Sequence, residues 1–181
     1  VATATKLTYE DYVRMPDDGQ RYELIDGELF VVPAPNSPHQ FAILNIAAAL
    51  HAYLLREGGG RVAMAPLDVI FSPVNVVQPD VLFVRDQNAS RIEFRGIVGA
   101  PDLVVEALSN STKRRDETVK RELYERFGVS EYWLVDPGAK TVKVLRLAGA
   151  RYETVAELRG NDTLTSPLFP GLELPLATIF A

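Results

Sequence analysis

Apolar positions along this chain switch between two periods. Arg21 to Ile25 and Glu28 to Val32 are short apolar-rich runs on either side of Asp26-Gly27, a dipeptide suited to the tight turn of a β-hairpin. Pro33, Pro35 and Pro38 then mark a loop. From His39 to Glu57, apolar side chains fall at 43, 46, 47, 50, 53 and 54. That is the spacing of one helix face, and Gly58-Gly59-Gly60 ends it. The pattern next predicts strands over 61–71 and 74–84, joined near Ser72-Pro73, and a polar loop over 85–100. Asp102 to Leu108 is a third strong strand. Residues 113–127 return to helical period between Ser109–Thr112 and Gly128. Strands over 131–135, 141–147 and 151–158 follow, the first two around the turn Asp136-Pro137-Gly138. The tail, with Pro167, Pro170, Gly171 and Pro175, is extended or irregular; its apolar residues from Leu164 onward suit either an interface or the chain's own core. Upstream, Thr8 to Met15 reads as a short helix, with Thr8 as N-cap, Asp11 three residues on, and Pro16 to Gly19 as its stop. No repeat, low-complexity tract or linker interrupts this order. One α/β domain over 1–181 is the economical reading.

Composition narrows the chemistry. With no cysteine there is no disulfide framework, thiolate metal site or cysteine nucleophile. With His39 and His51 as its two histidines, one chain cannot build a three-histidine site. A catalytic metal would lean on carboxylates, which favours oxygen-loving ions such as Mg²⁺ or Mn²⁺. No apolar run reaches the ~18 residues of a membrane span, and the N-terminus lacks the layout of a signal peptide. The expectation is a cytoplasmic protein with no membrane contact and no organic cofactor.

Three residues carry candidate chemistry. Glu106 lies in Leu103-Val-Val-Glu-Ala-Leu108, a strand otherwise wholly apolar. Period 2 puts Val104, Glu106 and Leu108 on one face. An ionised carboxylate there is costly unless a cation or hydrogen bonds meet it; a structural salt bridge or a strand end open to water would also account for it. Asp80 follows Pro79, where a strand must be bulged, kinked or at an edge. Bulges re-aim side chains and are over-represented beside active sites, although a Pro-Asp pair can simply start a strand, as Pro101-Asp102 shows. On a helical wheel Lys120 shares a sector with Asp116, Leu123, Tyr124 and Phe127, so it sits on or beside the packing face or snorkels over its edge. Two carboxylates on neighbouring strands can hold a divalent cation, and a nearby lysine can orient water and offset phosphate charge.

With these residues in view, the chain resembles the PD-(D/E)XK nuclease superfamily, and within it the Uma branch of restriction-endonuclease-like proteins. The matching stretches are Tyr22 to Glu28, Ser37-Pro-His39, Gln78 to Val84, Ala100 to Ser109, Ser111-Thr112, Asp116, Lys120, Tyr124 and Gly128 to Asp136. The resemblance implies a restriction-endonuclease-like α/β core, a mixed sheet flanked by helices with an N-terminal hairpin added. It implies Asp80 and Glu106 as metal ligands and Lys120 as the residue placing the nucleophilic water. Glu23, His39 and Tyr124 are implied accessories. The superfamily's usual lysine position, two residues after the acidic residue, is Leu108 here; in the related pattern the lysine has moved to the following helix, where Lys120 stands.

The function expected is a Mg²⁺- or Mn²⁺-dependent endonuclease on DNA, acting as a homodimer. The rival is a nuclease-like fold that binds nucleic acid or protein without cutting, which Leu108 and the net charge of −5 favour. A third possibility is a hydrolase of small phosphoesters. Lys113, Arg114, Arg115 and Arg121 are the candidate DNA contacts. They make the expected non-specific affinity weak and strongly dependent on salt and divalent metal.

Overall fold

The computed structural model describes residues 6–181. Strands β1 (Arg21–Ile25) and β2 (Glu28–Val32) form the expected hairpin, with Ile25 opposite Glu28. Asp26 and Gly27 both take positive φ, 50° and 82°, as a type I′ turn requires. Before them, α1 (Tyr9–Val13) is closed at its start by a reciprocal capping box between Thr8 and Asp11. Helix α2 (Ser37–Glu57) begins two residues earlier than its apolar period, because Asn36 caps it and Pro38 fits its first turn.

The two strands expected over 61–71 and 74–84 each break in the middle. Strand β3 (Gly60–Met64) is separated by the cis Ala65-Pro66 bond from β4 (Val69–Ser72), and β5 (Asn75–Val77) by Gln78-Pro79-Asp80 from β6 (Val81–Arg85). Proline brings no N–H to a ladder, and at each break the chain changes sheet. The loop expected over 85–100 holds a 3₁₀ turn (Asp86–Arg91) and a small hairpin, β7 (Ile92–Glu93) and β8 (Gly96–Val98).

The architecture is thus mixed α/β with two mixed six-stranded sheets, where the sequence suggested one. The first runs β2-β1-β5-β4-β8-β7. The second runs β12-β11-β10-β9-β6-β3, with β9 (Leu103–Ala107), β10 (Glu131–Asp136), β11 (Thr141–Ala148) and β12 (Arg151–Arg159). Its parallel pair, β9 and β10, needs a crossover. That crossover is α3, residues 113–127, which is α-helical at both ends with a wider π turn over Asp116–Lys120. Gly128, at φ 80°, ends it in the left-handed conformation.

Two cores flank the second sheet. One face packs Ile43, Ile46 and Leu50 of α2 against Leu103, Val105 and Trp133. The other packs Leu123 and Tyr124 of α3, with Val69 and Val77 of the first sheet, against Val104 and Leu134. The tail closes the first of these. It forms β13 (Thr163–Leu164), β14 (Leu174–Pro175) and a last short helix (Leu176–Ile179), and buries Phe169, Leu174 and Ile179. Asn45 and Tyr53 of α2 tie it down by donating to the carbonyls of Ile179 and Pro170. Among the described residues no helix is long and apolar enough to cross a membrane.

Candidate active site

Strand β9 divides its side chains as its period predicts. Leu103, Val105 and Ala107 face α2, while Val104, Glu106 and Leu108 face the side of α3. Glu106 is therefore a carboxylate set among apolar neighbours, 4% exposed. Two buried donors meet one of its oxygens. Lys120 Nζ donates to Glu106 Oε1 at 2.9 Å and the Tyr124 hydroxyl donates to the same atom at 2.7 Å. Lys120 and Tyr124 sit one turn apart on α3, so a single helix face delivers both.

Lys120 serves more than Glu106. Glu23 Oε1, from β1, lies 2.8 Å from its Nζ, and Asp116 Oδ1, at the start of the π turn, lies 3.8 Å away. Glu23 is wholly buried; its Oε1 also accepts the Gln78 backbone N–H at 3.0 Å, and its Oε2 has no hydrogen-bond partner among the described residues. Burial opposes the Lys120 charge, but the carboxylates of Glu106, Glu23 and Asp116 outweigh it and hold the ammonium protonated well above its ordinary range. Burial pushes the Glu106 carboxyl well up. Lys120 pulls it down, and the negative charges of Asp80, Asp116 and Glu23 add to the rise. Burial likewise raises Asp116.

Asp80 stands where the chain crosses between sheets. Its Oδ2 accepts the Ala107 N–H at 2.8 Å, which ties it to the residue after Glu106. Its Oδ1 lies 3.1 Å from His39 Nε2. His39 is positioned by the start of α2, where its own N–H donates to the Asn36 side chain at 3.0 Å.

Asp80, Glu106, Lys120 and His39 all line one cleft of about 480 Å³. Glu23 and Tyr124 stand behind it, in contact with Lys120 and Glu106 but off its wall. Of the four basic candidates, Arg115 lines the cleft, its guanidinium 5.4 Å from the centre of the Phe30 ring. Lys113 pairs at 3.0 Å with Asp136, which is on the wall. Arg114 is exposed and off the wall, and Arg121 leans away toward the Tyr152 carbonyl. Three charged wall residues are not among the sequence candidates: Arg21, Asp116 and Asp136. Asp116 had a usable signal, its four-residue spacing from Lys120. Arg21 had none.

Glu23, Glu106, Asp116 and Asp80 outnumber one ammonium and one imidazole. In a buried site the surplus carboxyls either take up protons, the direction in which Glu106 and Asp116 are pushed, or meet a cation, and the all-oxygen donor set is one a hard divalent ion accepts. Glu106 Oε1 is occupied, whereas its Oε2 takes no hydrogen bond among the described residues. No three of the acidic or histidine groups form a ready-made metal cage among the described residues. Two carboxylates, with water and phosphate oxygens completing the shell, are the usual protein share for Mg²⁺.

A strand carboxylate, a crossover aspartate and a helix lysine thus meet at one cleft of a mixed α/β frame. The chain belongs to the Uma2 family, described as "Putative restriction endonuclease", whose model matches residues 9–177. Its fold is similar to the crystal structure of a "putative nuclease belonging to DUF820" from Anabaena variabilis ATCC 29413. The two share a TM-score of 0.80 and 21% identity over 96% of this chain and 97% of that one. At that identity the likeness speaks for the fold. No curated protein matches.

Proposed function

We propose that this chain is a Mg²⁺- or Mn²⁺-dependent endonuclease with a PD-(D/E)XK-type core that hydrolyses DNA phosphodiester bonds. The observation that carries the reading is the meeting of Asp80 from a sheet crossover, Glu106 from a strand and Lys120 from a helix at one cleft. Asp80 and Glu106 would hold the ion. When bound, it polarises a phosphoryl oxygen and lowers the pKa of its water.

The chain's own groups do the rest. Glu23, Glu106 and Asp116 surround the Lys120 ammonium, which would position the attacking water and offset phosphate charge. Tyr124 holds Glu106 Oε1 from behind, which leaves Oε2 for the ion. The Ala107 N–H and His39 fix the two oxygens of Asp80. His39 Nε2 is thereby the donor to Asp80 and positions it. Leu108 stands where the superfamily's usual lysine would be, and α3 supplies the ammonium instead.

The test is nicking of supercoiled plasmid by pure protein, with Mg²⁺ or Mn²⁺ and with chelator. Asp80→Ala, Glu106→Ala and Lys120→Ala are each expected to lower the rate by ~10²-fold or more, on the scale of lost electrostatic catalysis, with folding checked by circular dichroism. Equal activity in wild type and all three variants overturns the assignment. DNA binding with neither Mn²⁺ binding nor cleavage would instead favour the non-catalytic module.

A further inference from the structure

Helix α2 has a second apolar face. Its inner face, Ala42, Ile43, Ile46, Ala47, Leu50, Tyr53 and Leu54, fills the core. Its outer face carries Phe41 at 59% exposure, Leu44 at 54% and Leu55 at 74%, with Ala48 and Ala52 exposed between them. Not one Asp, Glu, Lys or Arg occurs from Ser37 to Leu55. A surface helix normally turns charge to water on that side, and a helix apolar all round is a buried one.

The stripe continues onto β3, the free edge of the second sheet. Leu44, Ala48 and His51 share a shallow groove of about 390 Å³ with Val62 and Met64, and Met64 is 37% exposed. A contiguous apolar patch of several hundred Å² marks an interaction site more often than an idle surface. The tail does not cover it, because its apolar side chains are spent on the inner core.

The spacing says what fits. Phe41 and Leu55 lie seven residues either side of Ala48, and Leu44 and Ala52 lie four residues either side. The stripe is therefore a palindrome about Ala48. An antiparallel copy of the same helix, related by a two-fold axis at Ala48, sets Phe41 against the partner's Leu55 and Leu44 against the partner's Ala52. An isologous interface needs that self-complementarity, and small Ala48 at the axis lets the two helices approach. A membrane surface is the poorer fit, since interfacial helices carry Lys or Arg beside their apolar face.

We infer that the outer face of α2, with β3 beside it, is the dimer interface between two copies of this chain, paired antiparallel about Ala48. His39 begins the cleft end of α2, nine residues from that axis. At 1.5 Å per residue the two His39 side chains then stand about 27 Å apart along the helix pair, one cleft at each end. The inference does not depend on catalysis, so its failure would leave the nuclease reading standing.

Sedimentation equilibrium tests it on the full chain. Wild type is expected at twice the 20.0 kDa chain mass. Leu44→Glu, on an exposed position, is expected to sediment as a folded monomer with an unchanged circular dichroism spectrum. The chain has no cysteine, so single thiols report cleanly. Ala48→Cys should cross-link between copies with a short bis-maleimide, and Glu57→Cys should not. A monomeric wild type, a dimer that survives Leu44→Glu, cross-linking at 57 in place of 48, or a monomer plus a different captured partner overturns the proposal.

Discussion

Lys120 is the residue on which the site is strung. Its ammonium is 4% exposed and is shared among Glu106, Glu23 and Asp116. Breaking a buried ion pair leaves the remaining charges unpaired, at ~3–5 kcal/mol. Lys120→Met is expected to lose about that much in urea unfolding, and adding Glu23→Gln to recover part of it. A loss within ~1 kcal/mol would mean that the carboxylates are neutralised by protonation and not by the lysine. Glu106 was legible in the sequence because one carboxylate interrupts six residues of apolar strand. Lys120 and Asp116 were legible through helical phase. Their meeting with Glu23 was not, because a hairpin glutamate has no local signal for a partner some hundred residues away. The contact between His39 and Asp80 was hidden for the same reason: each sits at an element boundary, where period says nothing about direction.

At the scale of elements, the strands that looked continuous are each split between two sheets. Residues of β4, β5 and β6 are buried on both faces, so their apolar runs read alike whichever sheet they join. Pro66 and Pro79 are the only local marks of the breaks. The second break matters to the proposed site, because it sets Asp80 at a crossover, against the backbone of β9. Elements with strong local chemistry were readable to within a residue or two: the Asp26-Gly27 hairpin, the Thr8 cap, and the Gly128 stop. Gly60 illustrates what pattern cannot show. It starts β3 at φ 156°, and a Cβ there would run into the Val84 carbonyl and meet the Phe83 ring at 2.5 Å. Gly60→Ala is expected to cost ~1–3 kcal/mol, the usual scale for overpacking, read as a lower melting temperature. An unchanged melting temperature would show that β3 and β6 shift apart without penalty.

For the whole molecule, the net charge of −5 is unevenly placed. Part of the acidic excess is gathered at the cleft, in Asp80, Glu106, Asp116 and Asp136. The basic run on α3 is less of a DNA-facing strip than its sequence suggests. Lys120 is interior, Lys113 is paired, and Arg121 leans elsewhere, which leaves Arg115 with Arg21 on the wall. On this account a divalent ion offsets the cleft's charge before a phosphate can approach it, so the ion's position is the claim beneath all others. Anomalous diffraction from crystals soaked in Mn²⁺ measures it directly. A peak is expected within ~2.2 Å of one oxygen each of Asp80 and Glu106, the ordinary range for hard divalent ions on oxygen, with Lys120 beside it. A fully soaked crystal with no peak between those carboxylates, or with its strongest peak elsewhere, would contradict it.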